Sequence, residues 1–245
     1  MTVQIVLLPG LLCDAAVWAG QLSALTAFGP CLVADYELSD SISAMADRVL
    51  DSAASRRLLL AGHSMGGRVA LEIVRRAPDR VAGLALLDTG YQARANGDVG
   101  EYERAQRFAL LELAQEKGMR AMGEVWSPGM VHPTRLKSEV YGSILDMIER
   151  STPERFEVQL RALLNRPDAT SLLEEIHCPT TLICGREDRW SPLSRHEEMR
   201  MRIRGSRLRV IENCGHMSTM ECPDDVGVAL FEWMNWSIGE GAGNA

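Results

Sequence analysis

Residues 58–70, LLLAGHSMGGRVA, run a short apolar stretch straight into a serine flanked by glycines and then into a helical pattern, and few folds accommodate that succession. Leu58, Leu59, Leu60 and Ala61 suit a strand buried on both faces of a parallel sheet. Gly62-His63-Ser64-Met65-Gly66 fits G-x-S-x-G. In that pattern the glycines let strand and helix pass close together, while the central residue takes a strained conformation that exposes its side chain. Ser64 is thereby the candidate nucleophile. Val69, Ala70, Ile73 and Val74 recur at helical spacing, which places Ser64 at a helix N-terminus, whose partial positive charge favours an anion forming beside it. The alternative is a serine that only caps the helix.

The rest of the chain repeats the strand and helix rhythm on either side of an interruption. Val3 to Leu8 is an apolar, β-branched run ending at Pro9-Gly10, a buried strand feeding directly into a loop. A short helix is expected over Trp18 to Leu25, a strand over Cys31 to Ala34 and a helix over Ile42 to Ala53. After the central motif, Ala82 to Leu87 forms the next strand and ends in Asp88-Thr89-Gly90. The rhythm resumes with a strand over Thr180 to Cys184, a helix over Leu193 to Ile203, a strand over Leu208 to Ile211 and a closing helix over Asp224 to Trp236. This alternation predicts an α/β fold built on a doubly wound, mostly parallel sheet of about six strands. Its core takes residues 1–90 and 176–238, and the glycine-rich stretch 239–245 is expected to be a flexible tail.

From Tyr91 to Glu175 no strand-like run occurs, which predicts an inserted helical cap over 91–175. Tyr102, Ala105, Ala109 and Leu113 share one face of a helix ending near Gly118; Leu136, Val140, Ile144, Met147 and Ile148 make another. Thr152-Pro153 opens a third, with threonine placed to cap and proline at the first helical position.

A serine hydroxyl is a poor nucleophile at neutral pH; it needs a histidine to take its proton and a carboxylate to hold that histidine's tautomer. Asp188 follows the strand Thr180 to Cys184, and His216 follows the strand Leu208 to Ile211. All three candidates thus sit past the carboxyl ends of parallel strands, where α/β sheets place their sites, in the chain order Ser, Asp, His. Asp88 also ends a strand and is the rival carboxylate, or else a turn residue. Cys214 and His216 are too isolated a pair to read as metal ligands, and His63, His132, His177 and His196 read as surface or packing residues.

Leu8-Pro9-Gly10-Leu11, Gly62 to Gly67, Arg166-Pro167-Asp168 before Cys178-Pro179, Gly185 to Asp188 with Pro192, and Gly215-His216 before Glu221-Cys222-Pro223 together resemble the α/β-hydrolase superfamily over nearly the whole chain. The resemblance implies Ser64 as nucleophile, His216 as general base and acid, Asp188 as its orienting partner, and the backbone N–H groups of Leu11 and Met65 as an oxyanion hole. It implies a serine hydrolase without metal or cofactor, cleaving an ester or related acyl bond of a small, partly apolar metabolite. Members with the same triad also cleave carbon–carbon bonds or act as ligand sensors that signal to a partner protein. Two departures stand out: many members have His-Gly where this chain has Pro9-Gly10, and the usual opening antiparallel strand pair is absent. Trp126 and Met130 are the cap residues expected to bind substrate, with Phe108, Met119, Met122 and Met147 mostly in the cap core.

The formal charge of -7 and the pI near 5.3 offer no general attraction for nucleic acid or an anionic membrane, so the expected partner is a small molecule. The arginines at 195, 200, 202, 204, 207 and 209 read as a solvated face or as a docking patch for an acidic carrier. No apolar stretch has the length of a membrane span, and the residues after Met1 show neither a basic region nor a cleavage site, which predicts a cytoplasmic protein. The six cysteines lack zinc-site spacing and disulfide-scaffold density and read as free thiols.

Overall fold

The computed structural model describes residues 3–242, with side chains through Gly239. Six strands, β1 (Val3–Leu8), β2 (Cys31–Val33), β3 (Arg57–His63), β4 (Val81–Leu87), β5 (Thr180–Gly185) and β6 (Arg207–Ile211), form one sheet in the order β2-β1-β3-β4-β5-β6. Every pairing is parallel, as the strand and helix rhythm predicts. Parallel neighbours need long crossovers, and the helices that supply them bury both faces of the sheet. This is why β4 is apolar throughout, β3 is apolar between Arg57 and His63, and both are almost wholly buried.

The α-helices among the described residues are α1 (Ala19–Thr26), α2 (Ile42–Ser52), α3 (Met65–Arg76), α4 (Gly97–Lys117), α5 (Met119–Trp126), α6 (Glu139–Glu149), α7 (Pro153–Leu164), α8 (Leu193–Arg202), α9 (Ser218–Glu221) and α10 (Pro223–Ala242). α1 packs on α10, which covers β4, β5 and β6; α2 packs on α3, which covers β1, β3 and β4. The sheet order reverses at β1, so β3 and β4 lie at the centre, and the loops after their carboxyl ends meet those of β5 and β6 on one edge.

Between β4 and β5 the chain has four helices, α4 to α7, and no strand among the described residues. Thr152 caps α7 as its sequence predicts, its hydroxyl accepting the Arg155 N–H at 3.1 Å with Pro153 in the first turn. The predicted face of α4 is corrected. Tyr102, Ala105 and Ala109 are exposed, and the inward stripe is Gly100, Glu103, Arg107, Leu111 and Ala114. Charged residues occupy two of those inward positions, so apolar periodicity pointed to the wrong side of the helix. α5 escaped the sequence pattern because it is two turns long and has Gly123 within it. Of the stretch 239–245, residues 239–242 continue α10, which is anchored by buried Trp233, Met234 and Ser237; residues 243–245 lie outside the described residues. Among the described residues no helix is long and apolar enough to cross a membrane.

Candidate active site

Ser64 sits between β3 and α3 with φ 54° and ψ -115°, a conformation costly for a residue with a Cβ. The surroundings hold it there. Its N–H donates to Leu87 O at 2.9 Å, and the Thr89 hydroxyl donates to its carbonyl at 2.6 Å, so the end of β4 clamps the turn from both sides. Gly66 lies against the Leu8 and Pro9 carbonyls and Gly62 against the backbone of Gly66 and Gly67, where a Cβ would collide in either case. The glycines of the motif thus serve close approach.

His216 and Asp188 come to the same edge. His216 Nε2 is 2.8 Å from Ser64 Oγ, and His216 Nδ1 is 2.8 Å from Asp188 Oδ2. The other carboxylate oxygen of Asp188 accepts the Trp190 and Ser191 N–H groups at 2.8 and 2.9 Å. Burial pushes the Asp188 carboxyl up, but His216 and these donors outweigh it and hold it below the usual carboxylate value. Burial pulls the His216 imidazole down, but the Asp188 charge and hydrogen bond, with Asp88 and Glu221 beyond, hold it above the usual value. An ionised Asp188 takes the Nδ1 proton as a hydrogen bond and leaves Nε2 free to accept from the Ser64 hydroxyl.

Asp88, the rival carboxylate, is fully buried beside this pair but does not bond the imidazole. It accepts the Gly185 N–H at 2.9 Å and bonds the Ser218 hydroxyl, tying the loop that carries Asp188 to the loop that carries His216. Burial and the neighbouring Asp188 push its carboxyl well above the usual range.

Leu11 and Met65 face the same edge from the β1 loop and the start of α3. Among the described residues neither backbone N–H donates to a protein acceptor. The loop is fixed without the histidine that is absent at Pro9: the Tyr36 hydroxyl donates to Pro9 O at 3.1 Å, and the Leu12 N–H donates to Gln159 Oε1 of α7 at 2.9 Å. Leu12 itself has φ 58°.

A sequence profile described as "Alpha/beta hydrolase family" matches residues 5–229, nearly the whole chain. The chain belongs to the alpha/beta hydrolase family. Among curated relatives, a pimeloyl-[acyl-carrier protein] methyl ester esterase of Neisseria meningitidis is 29% identical over 180 residues, covering 73% of this chain and 66% of that protein. A 2-hydroxy-6-oxo-6-phenylhexa-2,4-dienoate hydrolase of Comamonas testosteroni is 26% identical over 181 residues, covering 72% of this chain and 62% of that protein. The matched part thus spans about two thirds of either relative. Among solved structures, a thermophilic esterase from Thermogutta terrifontis superposes with a TM-score of 0.82 at 28% identity, covering 96% of this chain and 89% of that one. The enol-lactonase of Burkholderia xenovorans shares the fold with a TM-score of 0.84 at 21% identity, covering 96% and 92%.

This alpha/beta hydrolase surrounds its imidazole with groups from far along the chain. The half-buried Trp190 lies with its ring centre 5.1 Å from the His216 ring and 5.1 Å from the Trp126 ring, which in turn is 6.1 Å from Phe156. Trp126, expected from the sequence to bind substrate, is thus two rings from the imidazole. Met130 is placed differently: its side chain is buried in the core, and its carbonyl accepts the His216 N–H at 2.5 Å. Glu221 accepts the N–H groups of Gly215, Met217 and His132 at 3.1, 3.1 and 2.7 Å, bracing the histidine loop on both sides. His63 Nε2 is 2.8 Å from His216 O, so that ring nitrogen carries the proton and Nδ1 is left buried without a partner.

The arrangement offers little to a metal. The Asp88, Cys184 and Asp188 side chains converge among the described residues, but burial raises the Cys184 thiol far above its usual value and both carboxylates are already engaged. His216 has both ring nitrogens occupied, so it makes no site with Cys214.

Proposed function

We propose that this protein is a serine hydrolase that cleaves a carboxylic ester of a small, partly apolar metabolite through an acyl-enzyme. The observation that carries this reading is the unbroken line of contacts from Ser64 Oγ through the His216 ring to Asp188, each 2.8 Å, next to two unengaged backbone N–H groups. Ser64 Oγ attacks the carbonyl carbon as its proton passes to His216 Nε2. The carbonyl oxygen becomes an oxyanion and is met by the Leu11 and Met65 N–H groups, donors worth roughly 3 kcal/mol each in such sites. When the intermediate collapses, the ester C–O bond breaks and His216 gives its proton to the leaving alcohol. Water then repeats the sequence: its proton goes to His216 as its oxygen bonds the acyl carbon, the bond from that carbon to Ser64 Oγ breaks, His216 returns the proton to Oγ, and the carboxylic acid leaves. Asp188 holds the imidazole tautomer and the charge it gains at each step.

Residues 91–175 act in this reading as a cap that sorts substrates, with Trp126 near the acyl group. An acyl group delivered on an acidic carrier fits the name of the Neisseria relative and the arginines of α8. A cytoplasmic location suits the six unpaired thiols. A second reading is cleavage of a carbon–carbon bond by the same residues. It is favoured by the relatives named for 2-hydroxy-6-oxo acids, whose names contain a ketone and no ester. The test is steady-state turnover of short p-nitrophenyl esters beside a 2-hydroxy-6-oxodienoate, with a fluorophosphonate to label the nucleophile. Multiple turnover of the ester with labelling at Ser64 is the expected result. Turnover of the dienoate alone would favour carbon–carbon cleavage, and labelling without multiple turnover would overturn both.

A further inference from the structure

The inward stripe of α4 carries Glu103 and Arg107 where a packed helix would bury apolar side chains, and these two residues belong to a cluster that holds far more positive than negative charge. Arg166 meets Glu103 in a fork, Nη1 to Oε1 at 2.7 Å and Nη2 to Oε2 at 3.0 Å. Arg107 adds Nε to Oε1 at 3.1 Å, so Glu103 is fully engaged. Arg166 Nε reaches Gln92 O at 3.3 Å, and Arg68 Nη1 donates to that same carbonyl at 2.8 Å. Arg68 Nη2 and Arg195 Nη1 then converge over Gly90, where a Cβ would stand 2.8 Å from one and 3.1 Å from the other. Four half-buried guanidiniums therefore run in sequence, two of them on the Glu103 carboxylate and two, Arg68 and Arg195, beyond it.

The other carboxylates nearby are committed elsewhere. Glu72 pairs with Arg75 and Arg76, Glu101 with Arg94 and Arg104, and Glu198 accepts the Tyr91 hydroxyl. Among the described residues no carboxylate lies within ion-pair distance of Arg68 or Arg195; their acceptors are the carbonyls of Gln92 and Trp190. Burial and the neighbouring Arg166, Arg195 and Arg107 pull the Arg68 guanidinium down to about 9. Like charges held together away from water are costly, and an anion from outside relieves that cost. Guanidinium forks match the paired oxygens of a phosphate or carboxylate, and several of them favour the group with more charge and more acceptors.

We propose that Arg68 and Arg195, which meet over Gly90 with Arg166 beside them, bind a phosphate-type oxyanion between their guanidiniums. The pair lies where the core meets the helices between β4 and β5. Arg68 and Arg195 come from α3 and α8, Arg166 and Arg107 from that intervening segment, so a bound phosphate clamps the two together. Among the described residues none of these guanidiniums bonds Ser64, His216 or Asp188, and the proposal does not depend on the ester reading. Two sources share the chemistry: free inorganic phosphate, and the phosphate of a larger molecule.

The test is thermal unfolding of the full chain in inorganic phosphate and, separately, in glycerol 3-phosphate, at ionic strength held constant with sodium chloride. A saturable rise in Tm of about 5 °C at one hundred times the dissociation constant is the expected result. A rise with inorganic phosphate assigns the free ion; a rise with glycerol 3-phosphate alone assigns a phosphorylated molecule. Arg68→Gln and Arg195→Gln are each expected to weaken the affinity at least tenfold and, without phosphate, to leave Tm unchanged or higher as repulsion is relieved. Arg200→Gln, an exposed position on the same α8, is expected to keep the full response. Should Arg68→Gln fail to fold, Arg195→Gln makes the same comparison. No saturable rise with either probe, or an equal rise in the Arg195 variant and wild type, overturns the proposal.

Discussion

At the scale of single residues, the decisive comparison is between two buried aspartates that end neighbouring strands. Only Asp188 bonds the His216 ring, whereas Asp88 bonds Gly185 and Ser218. Replacing a carboxylate that fixes the imidazole tautomer by its amide can cost on the order of ten-thousandfold in kcat. Asp188→Asn is expected to lose activity on that scale. Asp88→Asn, whose amide can still accept from Gly185 and donate to Ser218, is expected to keep most of it. The pH profile separates the two further. Activity needs neutral His216, whose pKa Asp188 helps hold above its usual value, so the acid limb of kcat/KM for wild type should lie above pH 6.5 and should move to lower pH in Asp188→Asn. An unmoved limb, or greater loss in the Asp88 variant, would mean that another carboxylate orients the ring. Ser64→Ala is expected to fold normally and to lose both turnover and fluorophosphonate labelling by several orders of magnitude, read by mass spectrometry of the labelled chain. The three residues were legible as candidates because each follows an apolar run with a glycine beside it. Their supports were not: Gln159 acts on Leu12, Glu221 on His132, and Trp190 on His216 across long stretches of chain, and no local pattern announces such contacts.

At the scale of elements, the strands were legible because a parallel sheet buried on both faces demands continuous apolar runs, and β1, β3 and β4 have them. The helices between β4 and β5 were harder. α7 announced itself through Thr152-Pro153, while α4 hid its inward side behind Glu103 and Arg107, and α5 was too short to show a period. This segment supplies Gln159 to the β1 loop, the Met130 carbonyl to His216 and Trp126 to the ring stack over the imidazole. If it also selects substrate, Trp126→Ala should shift the preferred acyl length in a chain-length series of p-nitrophenyl esters, because it removes an aromatic wall two rings from His216. Met130→Ala is expected to act otherwise. Its side chain is buried, so the change should lower stability by roughly 2–5 kcal/mol while its carbonyl still holds His216. Equal relative rates across the series in the Trp126 variant would remove the segment from substrate choice.

At the scale of the whole molecule, the histidines give the fold a defined acid limit. His63 and His196 are both buried, and burial, first among the influences on each, pulls their pKa values to about 4. Each is committed as a neutral ring: His63 donates to His216 O through Nε2, and His196 accepts the Thr89 N–H on its own Nε2 at 3.2 Å. In the unfolded chain both regain a pKa near 6.5. The unfolded state therefore binds more protons as pH falls from 6.5 toward 4, and stability must fall with it. At pH 5 the linkage amounts to about 2 kcal/mol for each ring. His216 works in the opposite direction, since its raised pKa favours the folded state as pH falls through that value. Urea unfolding at pH 7 and pH 5 should show wild type losing stability over the interval, and His63→Gln and His196→Gln each losing less, because glutamine can replace the neutral hydrogen bonds and takes up no proton. Carboxylates that lose ion pairs in acid contribute equally to all three proteins and cancel in the comparison. An identical loss in wild type and both variants would mean that neither ring is held neutral by the fold, and would remove the physical basis for reading His63 as a fixed support behind His216.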